Sequence, residues 1–197
     1  MPLFDLCRYE AQDTAVWIAL VTGPARSGKS RFAESLAVGH QRPVTYIATA
    51  RCDAEDAEWQ ARIERHRQQR PQAWITAEVP LELPEAISSA EDGQVYLVDS
   101  LGTWVANWIE SDDTVWQEQV ECLLQALQEC HCHCVLVGEE VGWSVVPAYE
   151  LGRRFRDRMG LLNQQVGAIS DAVYLVTAGF AIDLRKLGIP VDFYIGS

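Results

Sequence analysis

Short apolar runs rich in β-branched residues recur along the chain, and segments with helical spacing follow them. Parallel strands need a crossover connection that is usually a helix, so this alternation favours a parallel sheet. Runs that are apolar at successive positions are typical of strands covered on both faces. The sequence therefore predicts an α/β fold in which helices flank both faces of a mainly parallel sheet. The predicted strands span residues 16–22, 44–48, 95–98, 134–137 and 173–177.

Helices are expected between these strands, and one core is expected to hold them together. The chain has 197 residues and 48% hydrophobic content, enough for one buried core and too little for two full α/β domains. We expect a single domain over residues 1–197, with an N-terminal extension at 1–15 and a C-terminal tail at 187–197. The predicted helices span residues 30–38, 53–69, 114–129 and 147–170, and the length of the last allows a break near Gly160.

The first predicted strand leads into Gly23-Pro24-Ala25-Arg26-Ser27-Gly28-Lys29-Ser30, and a predicted helix follows. This order of elements and the Gly-x4-Gly-Lys-Ser spacing fit a P-loop, which makes the expected fold of the P-loop NTPase type. The glycines let successive backbone N–H groups face phosphates, where the helix N-terminus adds a favourable field. Lys29 is expected to reach the β and γ phosphate oxygens, and Ser30 to bind Mg²⁺.

Carboxylates follow two of the other predicted strands. Asp99 comes directly after the run 95–98, and it is the second expected Mg²⁺ ligand. Glu140 follows the run 134–137, and it is either a catalytic or metal-linked carboxylate or an ordinary loop acid. Both are expected at the carboxyl edge of the sheet, where ligands of α/β proteins collect.

The charge of the chain limits its partners. Lys and Arg total 16 against 28 Asp and Glu, a formal net charge of −12, which opposes extended contact with nucleic acid or an anionic membrane. No apolar run approaches the roughly 18–20 residues that span a bilayer, and residues 1–10 lack the pattern of a signal peptide. We expect a cytoplasmic protein with small-molecule partners, no membrane span and no nucleic acid partner.

Six cysteines are present, and free thiols are expected in a chain able to build its own core. Cys130-His131-Cys132-His133-Cys134 has the composition of a metal cluster. Alternate residues of an extended segment point to opposite faces, so we expect that these five cannot surround one ion without ligands from elsewhere. The favoured interpretation is a loop that enters a buried strand.

Further motifs follow the P-loop in order between about residues 21 and 184. Together with the P-loop they resemble the bifunctional adenosylcobinamide kinase/adenosylcobinamide-phosphate guanylyltransferase family of cobalamin biosynthesis. The motifs are Tyr46-Ile47-Ala48-Thr49-Ala50, Arg62-Ile63-x-x-His66-x-x-x-Arg70-Pro71, Trp74-x-Thr76-x-Glu78, Val98-Asp99-Ser100-Leu101, Glu140-Val141-Gly142, Arg154-Phe155-Arg156-Asp157 and Asn163-Gln164.

The resemblance implies two reactions. A nucleoside triphosphate, ATP or GTP, phosphorylates the aminopropanol hydroxyl of adenosylcobinamide, and GMP then passes from GTP to the new phosphate through a guanylylated histidine. His66 matches that histidine, and a homotrimer is implied. The same resemblance implies that the following residues surround the guanine nucleotide: Ala48, Thr49, Ala50, Arg67, Gln68, Gln69, Arg70 and Glu78.

Helical spacing around His66 gives a separate physical argument for its role as the nucleophile. In a helix over 53–69, Arg62, His66 and either Gln69 or Arg70 share one face, so the imidazole lies among cations. Like charges favour the neutral ring that a nucleophile requires. On spacing alone, a solvated histidine in a basic helix is the commoner interpretation.

Two residues depart from the family pattern, and two alternative functions remain open. Glu139 stands where the family usually has a small polar residue, often Asn, and Pro24 stands where many members have Gly. The alternative functions are a P-loop small-molecule kinase without nucleotidyl transfer and a P-loop regulatory switch.

Overall fold

The computed structural model describes residues 16–51 and 71–191 of the chain. Within these residues a seven-stranded sheet has the order β3-β2-β4-β5-β1-β6-β7, and all its pairings are parallel except that of β6 with β7. The predicted α/β fold with a mainly parallel sheet of the P-loop NTPase type is confirmed. The strands are β1 (Ile18–Gly23), β2 (Val44–Ala48), β3 (Ile75–Glu78), β4 (Val95–Asp99), β5 (His133–Glu139), β6 (Ala172–Thr177) and β7 (Phe180–Asp183).

Helices connect these strands and cover the sheet. The described helices are α1 (Lys29–Gly39), α2 (Leu83–Ser88), α3 (Leu101–Asn107), α4 (Asp113–Glu129), α5 (Glu150–Ile169) and α6 (Leu184–Leu187). The helix predicted over 53–69 lies outside the described residues, as do the extension 1–15 and residues 192–197. None of the described helices is long and apolar enough to cross a membrane.

Successive side chains of the central strands enter two separate apolar clusters. Leu20 and Leu136 belong to the cluster beneath α3, α4 and α5, while Val21 and Val137 belong to the cluster that includes residues of α1. This is the two-residue period of a pleated strand buried on both faces. The continuous apolar runs of β1 and β5 are explained by this double burial.

Two strands were not predicted. β3 has only four residues, and three of its side chains are exposed, so it lacks an apolar run. β7 returns antiparallel to β6 through a tight turn in which Ala178 and Gly179 have φ values of 50° and 80°. Turns of this hand usually carry Asn-Gly or Asp-Gly, and Ala-Gly gives a weaker sequence signal.

Helix α5 differs from its prediction at its start and at its middle. It begins at Glu150 rather than at residue 147, because Arg153 Nη1 donates to the carbonyls of Pro147 (3.1 Å) and Ala148 (2.7 Å) and holds them in a loop. It continues unbroken through Gly160. The cost of a helical glycine, about 1 kcal/mol, is offset by burial of neighbours such as Met159 and Leu162.

The alternating segment at the start of β5 has a different geometry from the one expected. Cys130, Cys132 and Cys134 are buried in one apolar cluster and are free thiols. Their Sγ atoms all lie within 4.8 Å of one another. The expectation that alternation separates the ligands was wrong for the cysteines, because residues two apart share a face. It holds for His133, whose ring stacks on His40 instead.

Arg158 of α5 ties the loop between α3 and α4 to the core. Its guanidinium donates to Trp108 O (2.8 Å), Ser111 O (2.9 Å) and Asp113 Oδ1 (2.9 Å), and it lies 5.1 Å from the centre of the Trp116 ring. The side chain is 5% exposed, so these bonds replace its lost hydration.

We predict that Arg158→Ala lowers the free energy of unfolding by about 2–4 kcal/mol, because it removes three hydrogen bonds and the packing of a buried side chain against the Trp116 ring. Urea unfolding measures the change. Glu150→Ala, which removes only a surface ion pair with Arg154, is the control and should cost less than about 0.5 kcal/mol. Equal losses in the two variants would contradict this role of Arg158.

Candidate functional site

The carboxyl ends of five neighbouring strands meet at one edge of the sheet. In register, Glu78 of β3 lies beside Ala48 of β2, which lies beside Asp99 of β4, and Glu139 of β5 lies beside Gly23 of β1. Strands are about 4.8 Å apart, and Asp99 pairs with Val137, which pairs with Val21, so Asp99 lies roughly 10 Å across β5 from Val21, two residues before Gly23. The parallel topology thus collects three carboxylates and the P-loop at this edge.

The P-loop starts at a glycine that the packing requires. A Cβ atom on Gly23 would lie 2.1 Å from the backbone oxygen of Val176 in β6. The loop folds back on itself, since Ser27 N donates to Pro24 O (3.3 Å), and Gly179 N donates to Ser27 O (3.2 Å). The turn between β6 and β7 therefore stabilises the P-loop through this hydrogen bond.

The N-terminus of α1 opens at the same place. Gly28, with φ of 98°, is the N-cap and has no side chain to cap this end, and Lys29 N donates to Ser27 Oγ (3.3 Å). The N–H groups of a first helical turn lack intrahelical acceptors, and the helix field favours an anion there. Lys29 Nζ lies 3.5 Å from Pro24 O, so its ammonium folds back over the loop. Ser30, half-buried, occupies the next position of the first turn.

Asp99 is held by a neighbouring strand. Its Oδ2 accepts a hydrogen bond from the Tyr46 hydroxyl (3.0 Å), and the register places Tyr46 two residues before Ala48 on β2. This contact fixes the carboxylate at the end of β4. Its other oxygen can face a cation.

Glu139 is the carboxylate that lies against the P-loop. Its Oε2 accepts from Gly102 N (2.8 Å) at the start of α3, and a Cβ on Gly102 would come within 2.1 Å of that oxygen. Burial raises the pKa of Glu139 above its ordinary value, with the Asp99 charge acting in the same direction. A hydrogen bond from Ser100 and the Lys29 charge oppose the shift without cancelling it.

The backbone of Glu139 has its own support. Asn163 Nδ2 of α5 donates to Glu139 O (3.0 Å) and lies 3.5 Å from the Thr22 hydroxyl. Glu140 N donates to Gly23 O (2.9 Å). Asn163 thereby links α5 to the strand ends beside the P-loop.

Sequence reasoning named Glu140 as the candidate from this strand. The structure brings the carboxylate of Glu139 to the edge near Lys29, and Glu140 Oε1 instead accepts from Gly142 N (3.0 Å) in the following loop. A shift of one residue in an extended segment reverses the direction of the side chain. In the sequence, the signal for Glu139 was its departure from the small polar residue that the family usually has at this position.

Thr49 has an internal role in the described structure. It is fully buried, and its hydroxyl donates to Ser100 O (2.6 Å) and accepts from Ser100 N (3.1 Å). Asn107 Nδ2 donates to Thr49 O and to Pro80 O, both at 2.7 Å. Ala48 and Ala50, on either side, are half-buried and lie nearer the surface.

The remaining predicted residues divide into two groups. The P-loop residues 23–30 and Asp99 are brought to one edge, and Glu78 lies at the same edge on the outer strand β3. The others lie outside the described residues, and they are His66, Arg67, Gln68, Gln69 and Arg70.

Comparison with protein families decides the class of this site. Residues 19–184 match the family described as cobinamide kinase / cobinamide phosphate guanyltransferase. The chain belongs to this family. The match begins at β1 and ends at α6, so it includes all the strands of the sheet edge described above.

Named relatives support membership of the cobinamide kinase family. The chain is 39% identical over 181 residues to the bifunctional adenosylcobalamin biosynthesis protein CobU of Escherichia coli (strain K12), covering 84% of this chain and 98% of that protein. It is 42% identical over 168 residues to the bifunctional adenosylcobalamin biosynthesis protein CobP of Pseudomonas aeruginosa, covering 84% and 96%.

A solved structure from Pyrococcus horikoshii OT3, titled as a structural study of project PH0250, resembles this cobinamide kinase family member in fold alone. The TM-score is 0.55 at 6% identity, covering 92% of this chain and 94% of that one.

The raised pKa of Glu139 gives a stability prediction. The folded state disfavours the ionised carboxyl, so its cost is absent in acid and grows as pH rises from the ordinary pKa of 4.5 through the raised value. Glu139→Gln keeps an oxygen for Gly102 N and removes the ionisation. We expect a higher Tm than wild type near pH 7, with the difference vanishing below about pH 4.

Scanning calorimetry across this pH range checks the prediction. Glu140→Gln is the matched control and should leave the pH dependence close to that of wild type. A Glu139→Gln variant that is less stable than wild type at neutral pH would show that the Lys29 and Ser100 interactions outweigh burial.

Proposed function

We propose that this chain phosphorylates adenosylcobinamide with a nucleoside triphosphate and then transfers GMP from GTP, through a guanylylated His66, to give adenosylcobinamide-GDP. The observation that carries the proposal is the P-loop edge in a chain of this family: the N-terminus of α1 behind Gly28, Lys29, and the carboxylates Asp99 and Glu139 beside it. Membership alone gives the reaction class. The geometry of the P-loop edge supports the proposed position of the triphosphate.

The triphosphate would lie along the P-loop. Residues 23–30 would present their backbone N–H groups to the phosphate oxygens, except Pro24, which has none. Lys29 would move from its contact with Pro24 O to the β and γ oxygens, which need a fixed positive charge as charge redistributes during transfer.

Ser30 and Asp99 are proposed to hold Mg²⁺. The donor set fits, because Mg²⁺ prefers hydroxyl, carboxylate, phosphate and water oxygens, and Asp99 has one oxygen fixed by Tyr46. When bound, Mg²⁺ would neutralise phosphate charge.

His66 is proposed as the nucleophile of the second reaction. Its neutral imidazole nitrogen attacks the α-phosphorus of GTP, a P–N bond forms, and the bond to the β-phosphate oxygen breaks to release pyrophosphate. The phosphate of adenosylcobinamide phosphate then attacks the same phosphorus, and the P–N bond breaks. Arg62 and Arg70, at helical spacing on either side, would stabilise charge on the α-phosphate.

The guanine nucleotide is proposed to extend from the P-loop across β4 and β2 toward Glu78. Ala48 ends β2 at this edge, and Thr49 and Ala50 follow it. Arg67, Gln68, Gln69 and Arg70 follow His66 in the chain. Since Thr49 has its hydroxyl bonded to Ser100, its contribution would be to position the strand end. A cytoplasmic homotrimer is the proposed working form.

GTP labelled at the α-phosphate tests the division of labour. We expect wild type to retain an acid-labile, base-stable label, as a phosphoramidate would, and His66→Ala to lose it together with GMP transfer. Cobinamide-dependent formation of ADP or GDP should persist in that variant. His131→Ala, which removes an exposed histidine elsewhere, is the control and should keep the label.

Three outcomes separate the alternatives. Absence of any covalent label in wild type, with phosphorylation intact, would leave a kinase without nucleotidyl transfer. Nucleotide hydrolysis unaffected by cobinamide would indicate a regulatory switch. Equal loss of both activities in His66→Ala would contradict the assignment of His66 to the second step alone.

A further inference from the structure

A cluster of three thiols lies at the start of β5, at the opposite end of the strand from the P-loop edge. Cys130 ends the connection from α4, and Cys132 and Cys134 follow on the same face. Cys134 and Glu139 are five residues apart on β5, a distance of about 16 Å in an extended strand. The cluster is therefore separate from the nucleotide site.

The sulfur atoms have the spacing of a ligand set. Cys132 Sγ and Cys134 Sγ are 3.6 Å apart, Cys130 Sγ and Cys134 Sγ are 4.0 Å apart, and all three lie within 4.8 Å of one another. Sulfurs about 2.3 Å from one ion in trigonal or tetrahedral geometry are spaced about 3.8–4.0 Å apart. The third pair, Cys130 Sγ and Cys132 Sγ, would need to move only slightly closer to complete such a triangle.

The local fold explains why the three side chains converge. Cys132 and Cys134 are two residues apart in an extended segment and share a face. Cys130 is the C-cap of α4, in extended conformation, and its Sγ lies 3.0 Å from Leu127 O and 3.4 Å from Cys132 O. The C-terminal end of α4 therefore directs the Cys130 thiol toward the thiols of Cys132 and Cys134.

The surroundings limit the kind of ion. The three thiols are buried in the apolar cluster that contains Leu127 and Leu136. Across residues 16–51 and 71–191, no other Cys, His or carboxylate joins the group, and His133 turns away to accept from Trp17 N (3.1 Å). Structural zinc sites require four protein ligands, whereas soft sulfur ligands alone suit Cu(I).

We propose that Cys130, Cys132 and Cys134 form a binding site for one soft monovalent cation of the Cu(I) type, held by three sulfur ligands. Each thiol that becomes a thiolate loses its proton to solvent as its S–Cu bond forms, and no electron is transferred because copper enters as Cu(I). An apolar core tolerates a thiolate only beside a cation, so proton loss and ion binding occur together. The bound ion links the end of α4 to β5.

Anaerobic titration of the full chain with Cu(I), in competition with a chromogenic Cu(I) chelator, tests this site. We expect wild type to hold one ion per chain with absorption from sulfur-to-copper charge transfer. Cys132→Ala should weaken retention at least about tenfold, as loss of one ligand from a three-ligand site requires. Cys122→Ala, which removes an exposed thiol on α4, is the matched control and should bind as wild type does.

A second variant keeps the test decisive if Cys132→Ala does not fold. Replacing Cys7, Cys52 and Cys122 by alanine leaves only the three clustered thiols, and X-ray absorption of its copper form should show three sulfur neighbours and no nitrogen or oxygen. Unchanged retention in Cys132→Ala, loss of the ion in the three-thiol variant, fewer than three sulfur neighbours, or preference for Zn²⁺ over Cu(I) would each overturn the proposal.

Discussion

The close approach of Gly23 to the backbone of Val176 is the constraint on which the proposed nucleotide site depends. It lets β1 pair closely with β6 and then turn at once into the P-loop. Because the turn is tight, the N-terminus of α1 opens directly over the ends of β1 and β5. The same approach allows Gly179 N to bond Ser27 O, so the β6–β7 turn stiffens the loop. A site that must hold charged phosphates without reorganising benefits from this support.

A chain with a net charge of −12 would bind the proposed triphosphate through local rather than overall electrostatics. In this proposal, backbone N–H groups and Lys29 supply the positive field at short range, where screening is weakest. Asp99 and Glu139 act in the opposite sense, and Asp99 is a proposed Mg²⁺ ligand. Burial raises the pKa of Glu139, so the fold disfavours the ionised form of this carboxyl.

The sequence was sufficient for the architecture of the sheet and for the P-loop, because buried parallel strands and a loop between strand and helix carry strong local patterns. It did not reveal β3, whose stability comes from pairing with β2 rather than from an apolar run. It left Glu140 open between a catalytic carboxylate and a loop acid and gave Glu139 no role, because the direction of a side chain at a strand end changes with one residue of register. It also expected alternation to keep the five Cys and His residues from surrounding one ion, whereas Cys130, Cys132 and Cys134 converge because residues two apart share a face.

The central claim is that one P-loop edge binds the triphosphate for both reactions. Kinase turnover, GMP transfer and GTP affinity measured side by side for Lys29→Ala and for Arg31→Ala, an exposed neighbour on α1, test it most directly. We expect both activities of Lys29→Ala to fall by at least about a hundredfold with weakened GTP binding, while Arg31→Ala stays close to wild type. Survival of either activity in Lys29→Ala, with normal GTP affinity, would mean that the second reaction uses a different phosphate site.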